Sequence, residues 1–337
     1  MSQRTKIFLK NTLKILVPLA VGIFILLQLY SKENIEQVID TLKNETKYEW
    51  LALSLVLCAA GHVVRAVRWR QLLTPLDASP RYGNLIYSVF VNYLVNNVIP
   101  RMGEVTRCAI VARYEKMSFS KIFGTLISER IIDLTSLGVV ILLSFLLTTQ
   151  DFVQLFAQNP DLTEKIISWF SSVWLYVGIA GFVLACVLIY KRFKYTRIMQ
   201  RITGAVKNMA TGVKSISKLE NKHRIFNLTL LLWLVYFLEF YVCVFAFPFS
   251  EHLTPQQGLF IFVVANVGIV VPVQGGVGPW HAAVQFSMPL FGILVPKALI
   301  FALIVHGVQW MMINLLGIVG LIALPLTNKR SEKIQNS

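Results

Sequence analysis

Ile99-Pro-Arg-Met-Gly-Glu104 and Val271-Pro-Val-Gln-Gly-Gly276 decide how this chain folds. Each closes an apolar segment broken by asparagine and glycine: Phe90-Val-Asn-Tyr-Leu-Val-Asn-Asn-Val before the first, Val263-Val-Ala-Asn-Val-Gly-Ile-Val before the second. Placing Pro100 on Pro272 puts Gly103 on Gly275, so both read P-x-x-G. Proline ends a helix because it lacks an N–H and clashes with the preceding turn, and glycine adopts backbone angles other residues avoid. Two broken apolar segments in corresponding halves are the sequence mark of a binding site in a transporter built from repeats. The plain alternative is two helices that end in Pro and Gly. It accounts less well for Asn96, Asn97, Arg101 and Glu104 at one break and for Gly275, Gly276 and Gly278 at the other.

Outward from these breaks, the chain is apolar throughout. Its 337 residues are 55% hydrophobic and only 15% charged, against about 25% charged in soluble domains, and mean hydropathy is +0.63. The expected class is all-α, a polytopic helical membrane bundle forming a single membrane domain over residues 1–337. The net charge of +15 is read as the cytoplasmic bias of Lys and Arg in a membrane protein, with no nucleic-acid partner expected. The four cysteines have no metal-ligand spacing and no disulfide framework. No metal or cofactor is expected.

Spans of about 20 apolar residues are expected at 13–30, from Trp50 to Arg65, at 122–147, 173–190, 225–247 and 298–324. Residues 13–30 read as a retained first helix, since no small-residue cleavage site follows them. Arg4, Lys6, Lys10 and Lys14 precede this helix with no acid, and Lys329, Arg330 and Lys333 follow the last span, so both termini are expected in the cytoplasm and the protein in the plasma (inner) membrane. Only Lys32, Lys43, Lys47, Lys165 and Lys297 then remain outside. Residues 82–100 have arginine at both ends and are expected to enter and return on the cytoplasmic side; 259–272 and 281–294 form the corresponding excursion from outside. Six spans and two re-entrant segments result, as inverted repeats at 10–148 and 171–325 whose broken tips should meet. Residues 195–222 are expected to form a basic amphipathic helix on an anionic leaflet or a solvated linker.

Ionisable groups within apolar segments are costly unless paired or hydrated. Arg65, Arg68, Arg101, Glu104, Arg107, Glu129, Arg130 and Asp133 concentrate in the first half, with Asn96, Asn97, Pro100 and Gly103. Glu129 and Asp133 share a helix face. Guanidinium forks match phosphate oxygens, and the carboxylates can hold the forks ready. The same set could also be an ion-pair network locking helices, and Arg65, Arg68 and Arg70 could be interfacial markers. In the second half the candidates are Pro272, Gln274, Gly275, Gly276, Gly278 and His281, with Asn266, His306, Gln309 and Asn314. The glycines could present backbone N–H groups to an anion. His62, His223 and His252 read as structural or interfacial.

These motifs together resemble a known family. Arg65-Ala-Val-Arg-Trp-Arg, Asn96-Asn-Val-Ile-Pro-Arg-Met-Gly-Glu with Arg107, Glu129-Arg-Ile-Ile-Asp, and Pro272-Val-Gln-Gly-Gly-Val-Gly stand in the order found in the lysylphosphatidylglycerol synthase transmembrane region, or flippase-like domain, family. The resemblance covers about residues 10–325. The family usually has a glutamate where this chain has His281. The resemblance implies a membrane domain that moves or handles lipid-linked substrates, such as aminoacylated phosphatidylglycerol or polyprenyl-phosphate sugars, without the soluble aminoacyltransferase part of some members. A lipid flippase clamping an anionic head group with Arg101, Arg107 and Arg130 is the leading expectation. A membrane-embedded lipid transferase or glycosyltransferase, and a non-catalytic scaffold, are the alternatives; the chain has no P-loop, D-x-D pair, H-E-x-x-H or G-x-S-x-G.

Overall fold

The structure is a computed structural model and describes residues 35–76, 79–150, isolated positions between 153 and 192, and 222–335 apart from 270 and 272. The expected spans at 13–30 and 173–190, the amphipathic segment 195–222 and Pro272 lie outside the described residues.

Every described element is helical. In chain order they are α1 (Ile35–Asp40), α2 (Tyr48–Leu73), α3 (Tyr82–Val98), α4 (Met102–Tyr114), α5 (Phe119–Leu147), α6 (Lys222–Tyr241), α7 (Pro255–Gly268), α8 (Pro279–Ser287) and α9 (Val295–Gln335). Among the described residues, four helical stretches are long and apolar enough to cross a membrane: Tyr48–Leu76, Phe119–Leu147, Lys222–Ala246 and Val295–Asn328. At about 1.5 Å per residue each exceeds the hydrocarbon thickness of a bilayer. α5 turns Leu134, Val139, Leu142 and Leu146 outward, as a helix facing lipid does. The protein is an all-α integral membrane bundle.

The first broken segment does not return within 82–100 as expected: α3 is one unbroken helix to Val98, and α4, beyond the Pro100 turn, is the returning limb of a hairpin. α3 and α4 run back along each other, and their far ends are tied together: the Arg81 backbone N–H and the Asn84 amide both donate to the Glu115 carboxylate. Asn84 and Asn328 exchange two amide hydrogen bonds, which joins the hairpin to α9. That tie lies beyond Pro325, so α9 continues past the end expected at 324. α9 also lies close along α3, where a Cβ on Gly317 would sit 2.4 Å from the Leu94 Cβ. Small residues at such crossings let membrane helices approach backbone to backbone.

The second broken segment is α7 and α8, also packed on each other. α7 begins at Pro255, earlier than the 259 expected, because Thr254 and Gln257 form a reciprocal capping box: the Gln257 N–H donates to Thr254 Oγ1 at 3.4 Å, and the Thr254 N–H to Gln257 Oε1 at 3.2 Å. Proline at the first helical position strengthens that start. The returning helix closes at Ser287, short of 294.

The aligned glycines do different work. At the first tip the left-handed residue is Arg101, with φ +63°, and Gly103 lies inside α4. What Gly103 contributes is its missing side chain, since a Cβ there would stand 1.9 Å from the Asn92 carbonyl oxygen. At the second tip Gly275 itself takes φ +59°. The two tips touch: a Cβ on Gly275 would be 2.9 Å from Asn97 Oδ1.

Gly103→Ala is expected to force α3 and α4 apart, at a cost of about 1–3 kcal/mol from overpacking. Thermal unfolding of the purified protein in detergent measures it; an unchanged midpoint would show that the two helices are not in this close contact.

Candidate functional site

α2, α4 and α5 bring four guanidinium groups around two carboxylates one turn apart. Glu129 and Asp133, at i and i+4, face the same side of α5 and receive arginines from α2, α4 and α5. Glu129 Oε1 accepts from Arg65 Nη1 at 2.7 Å, Arg130 Nη2 at 3.3 Å and Arg68 Nη2 at 3.4 Å, while Oε2 accepts from Arg107 Nη2 at 2.7 Å. Asp133 Oδ1 accepts from Arg68 Nη2 at 2.6 Å, and Oδ2 from Arg65 Nη1 at 3.2 Å. Arg130 also pairs with Asp133 at 3.5 Å and with Glu104 at 3.4 Å. Arg65 and Arg68 are therefore not interfacial markers: they are buried members of this network. Arg70 is not a member; it donates to the Pro80 carbonyl and lies over the Tyr82 ring.

The cluster is graded from closed to open. Glu129 and Arg68 are 0% exposed and Arg107 1%, whereas the Glu104 and Arg130 side chains are 28% and 38% exposed. Arg107 is clamped between Glu129 and the face of Trp69, 4.5 Å from its ring centroid. Trp69 is itself held, its indole N–H donating to Thr125 Oγ1. Among the described residues, four guanidinium groups meet three carboxylates, which leaves one positive charge in excess. Among the described residues, Arg107 Nε and Nη1, Arg68 Nε and Arg130 Nε are buried donors without an acceptor. Buried donors of this kind normally find partners, so the site has unspent capacity for an anionic or acceptor-rich group.

Around the tips, Asn96 Oδ1 accepts the Gly103 N–H at 2.8 Å and pins the turn that carries Pro100 and Arg101. Arg101 is exposed on that turn. The Asn97 amide nitrogen is buried without a partner among the described residues, beside Gly275. The second tip uses much of its own hydrogen-bonding capacity. The Gly276 N–H donates to the Val273 carbonyl, the Val277 N–H to the Gln274 carbonyl, and the Gly278 N–H to His281 Nδ1 at 3.4 Å. Two of the three glycine N–H groups expected to form an anion nest are therefore engaged in the turn. His281 is 2% exposed and caps the start of α8. It lies edge-on to His306, whose Nε2 is 3.0 Å from the Gly275 carbonyl oxygen. Gln274 is buried in the same turn. Asn266 and Asn314 each donate to their own helix, at Phe262 and Trp310.

The structure thus gathers Arg65, Arg68, Glu104, Arg107, Glu129, Arg130 and Asp133 into one cluster, and Asn97 with Gly275 at the tip contact. Sequence reasoning missed Tyr236 and Thr229 of α6, which accept from Arg65 Nε at 2.9 Å and Arg68 Nη1 at 3.4 Å. Their spacing of seven on a membrane helix was the available signal.

Comparison with known proteins gives the family. The profile of the lysylphosphatidylglycerol synthase TM region matches residues 15–317, and the chain belongs to that family. It is similar to UPF0104 membrane proteins of Pyrococcus horikoshii (26% identity over 37% of this chain and 38% of the relative) and Methanocaldococcus jannaschii (25% over 34% and 35%). A third, from Methanothermobacter thermautotrophicus, is 25% identical over 44% of this chain and 40% of the relative. The matched stretch is thus about two fifths of the length of each relative.

Removing Glu129 leaves Arg65 and Arg107 buried without their closest carboxylate. Glu129→Ala should therefore cost about 3–5 kcal/mol, while Glu104→Ala, at the half-open edge, should cost at most about 1 kcal/mol. Chemical denaturation in detergent compares the two; equal losses would contradict the closed-to-open gradient.

Proposed function

We propose that this member of the lysylphosphatidylglycerol synthase transmembrane-region family is a lipid flippase that handles an anionic lipid or lipid-linked head group, of the phosphatidylglycerol or polyprenyl-phosphate type. The observation that carries the reading is the excess guanidinium charge of the Arg65–Arg68–Arg107–Arg130 cluster, with buried donors of Arg107 and Arg68 left over. A phosphate accepts several N–H donors at once and matches the planar fork of arginine. Glu129 and Asp133 keep the forks in place before the ligand arrives, so little ordering is needed on binding.

In this reading the head group enters at Arg130 and Glu104, where the cluster is open, with Arg101 on the neighbouring turn. The lysine and arginine distribution supports a cytoplasmic orientation for that side. The Glu104–Arg130 pair is the movable part, since Arg130 can exchange one carboxylate for a phosphate without stranding a buried charge. The contact between Asn97 and Gly275 is where the halves, proposed as inverted repeats, part to pass the head group. Membrane lipids are the proposed partners.

The experiment is translocation in vesicles holding the purified chain and labelled phosphatidylglycerol, aminoacylated phosphatidylglycerol or polyprenyl phosphate. Selective movement of one lipid is expected, reduced at least about tenfold, the equivalent of one lost charge-assisted hydrogen bond, in Arg130→Ala and Arg101→Ala proteins that remain folded. No movement of any of the three would overturn the reading, and a chemically altered lipid in the extract would favour a transferase instead.

A further inference from the structure

A second polar feature runs along the membrane-crossing pair α2 and α6. On α2 the buried face carries Ser54, Cys58, His62, Arg65 and Arg68, each three or four residues from the next and none more than 7% exposed. That spacing places them on one stripe of the helix. From Ser54 to Arg68 it extends about 21 Å at 1.5 Å per residue, most of a bilayer's hydrocarbon depth.

α6 meets this stripe with its own polar groups in antiparallel order. Thr229 faces Arg68 and Tyr236 faces Arg65. Glu239 lies beside Cys58, and Cys243, in the turn after α6, beside Ser54. The Cys243 thiol also contacts the Glu239 backbone carbonyl at 3.4 Å. Cys58 Sγ is 3.7 Å from His62 Nε2, and the His62 ring lies on Tyr93, 4.3 Å between centroids. Glu239, Cys58 and His62 thus lie together along the helix pair, with Tyr236, Arg65 and Asp133 beyond them.

Glu239 differs from the other carboxylates of the membrane-crossing helices. Glu129 and Asp133 are each bound by several arginines; among the described residues Glu239 has no cation within ion-pair distance. The groups facing it are Cys58 and, behind it, His62 on α2, and Cys243 beside its own helix. α7 packs on α6 and has no titratable side chain. α8 and α9 reach α6 through Trp280 and Phe301 against Phe240. α5 contributes Glu129, Arg130 and Asp133 only at the level of Tyr236 and Arg65. An ionised carboxylate in such a place costs several kcal/mol, and a proton removes that cost. A sodium ion would need several oxygen ligands, and the neighbours here are thiols.

We propose that Glu239 is the proton-binding site that couples this protein's transport to a proton gradient, with Tyr236 on the same helix carrying its charge state to the arginine cluster. This rests on the flippase reading. Its mechanical link is short: Tyr236 lies one turn before Glu239 on α6 and holds Arg65, so a shift of α6 on protonation is felt at Asp133 and Glu129.

The test uses vesicles holding the full chain and each of the three labelled lipids, with pH steps of both signs and, separately, a sodium step. Wild-type protein should move its lipid several-fold faster under one sign of pH step and be indifferent to sodium. E239Q should move lipid at one rate with and without the step, and E239D should regain part of the acceleration. Lipid movement that ignores pH, responds to sodium, or responds to pH as strongly in E239Q would overturn the coupling while leaving the flippase reading in place. No lipid movement by wild-type protein overturns both. Where E239Q does not fold, infrared difference spectra across the same pH step decide: a carboxyl stretch that is identical in wild type and E239D overturns the assignment.

Discussion

Four arginines share one buried carboxylate, and the bundle is arranged around that fact. Glu129 cannot be ionised in an apolar helix interface without cations on every open side, and Arg65, Arg68 and Arg107 cannot be buried without it. The two requirements draw α2, α4 and α5 to a common point. They also explain why the hairpin of α3 and α4 is held so tightly. Arg107 reaches Glu129 only if α4 folds back along α3, and that return depends on Arg101 in the left-handed region and on Gly103 against the Asn92 carbonyl.

A network built this way is rigid at its closed end and yielding at its open one. Glu129 and Arg68 have no exposure and no alternative partner in water. Arg130 has three carboxylates within reach and solvent on one side. A charge can change partners cheaply only at the open end, while the buried pole preserves the geometry.

The second half is organised differently. Its core is aromatic, with Phe262, Trp280 and Phe301 all packed on Phe240, the last two edge-on, and its broken tip uses much of its own hydrogen-bonding capacity through Gln274, Gly278 and His281. The tip touches the first half at Asn97 and Gly275, where the Asn97 amide nitrogen is buried without a partner among the described residues.

Much of this was legible in the chain. Apolar runs of membrane-crossing length, the two Pro-Gly breaks, and Glu129 and Asp133 at helical spacing each follow from local chemistry, so class, breaks and the candidate charged residues could be read directly. Residue spacing along one helix does not say what another helix presents to it. That Arg65 and Arg68 point into a network and not to an interface, that Tyr236 and Thr229 complete their coordination, and that Gly103 and Gly275 differ in backbone role all depend on contacts between segments far apart in sequence. The sequence by itself determined a membrane bundle with a costly set of charges inside it. Only the tertiary structure decided how those charges are shared, because the energy of a buried ion is set by what surrounds it in three dimensions.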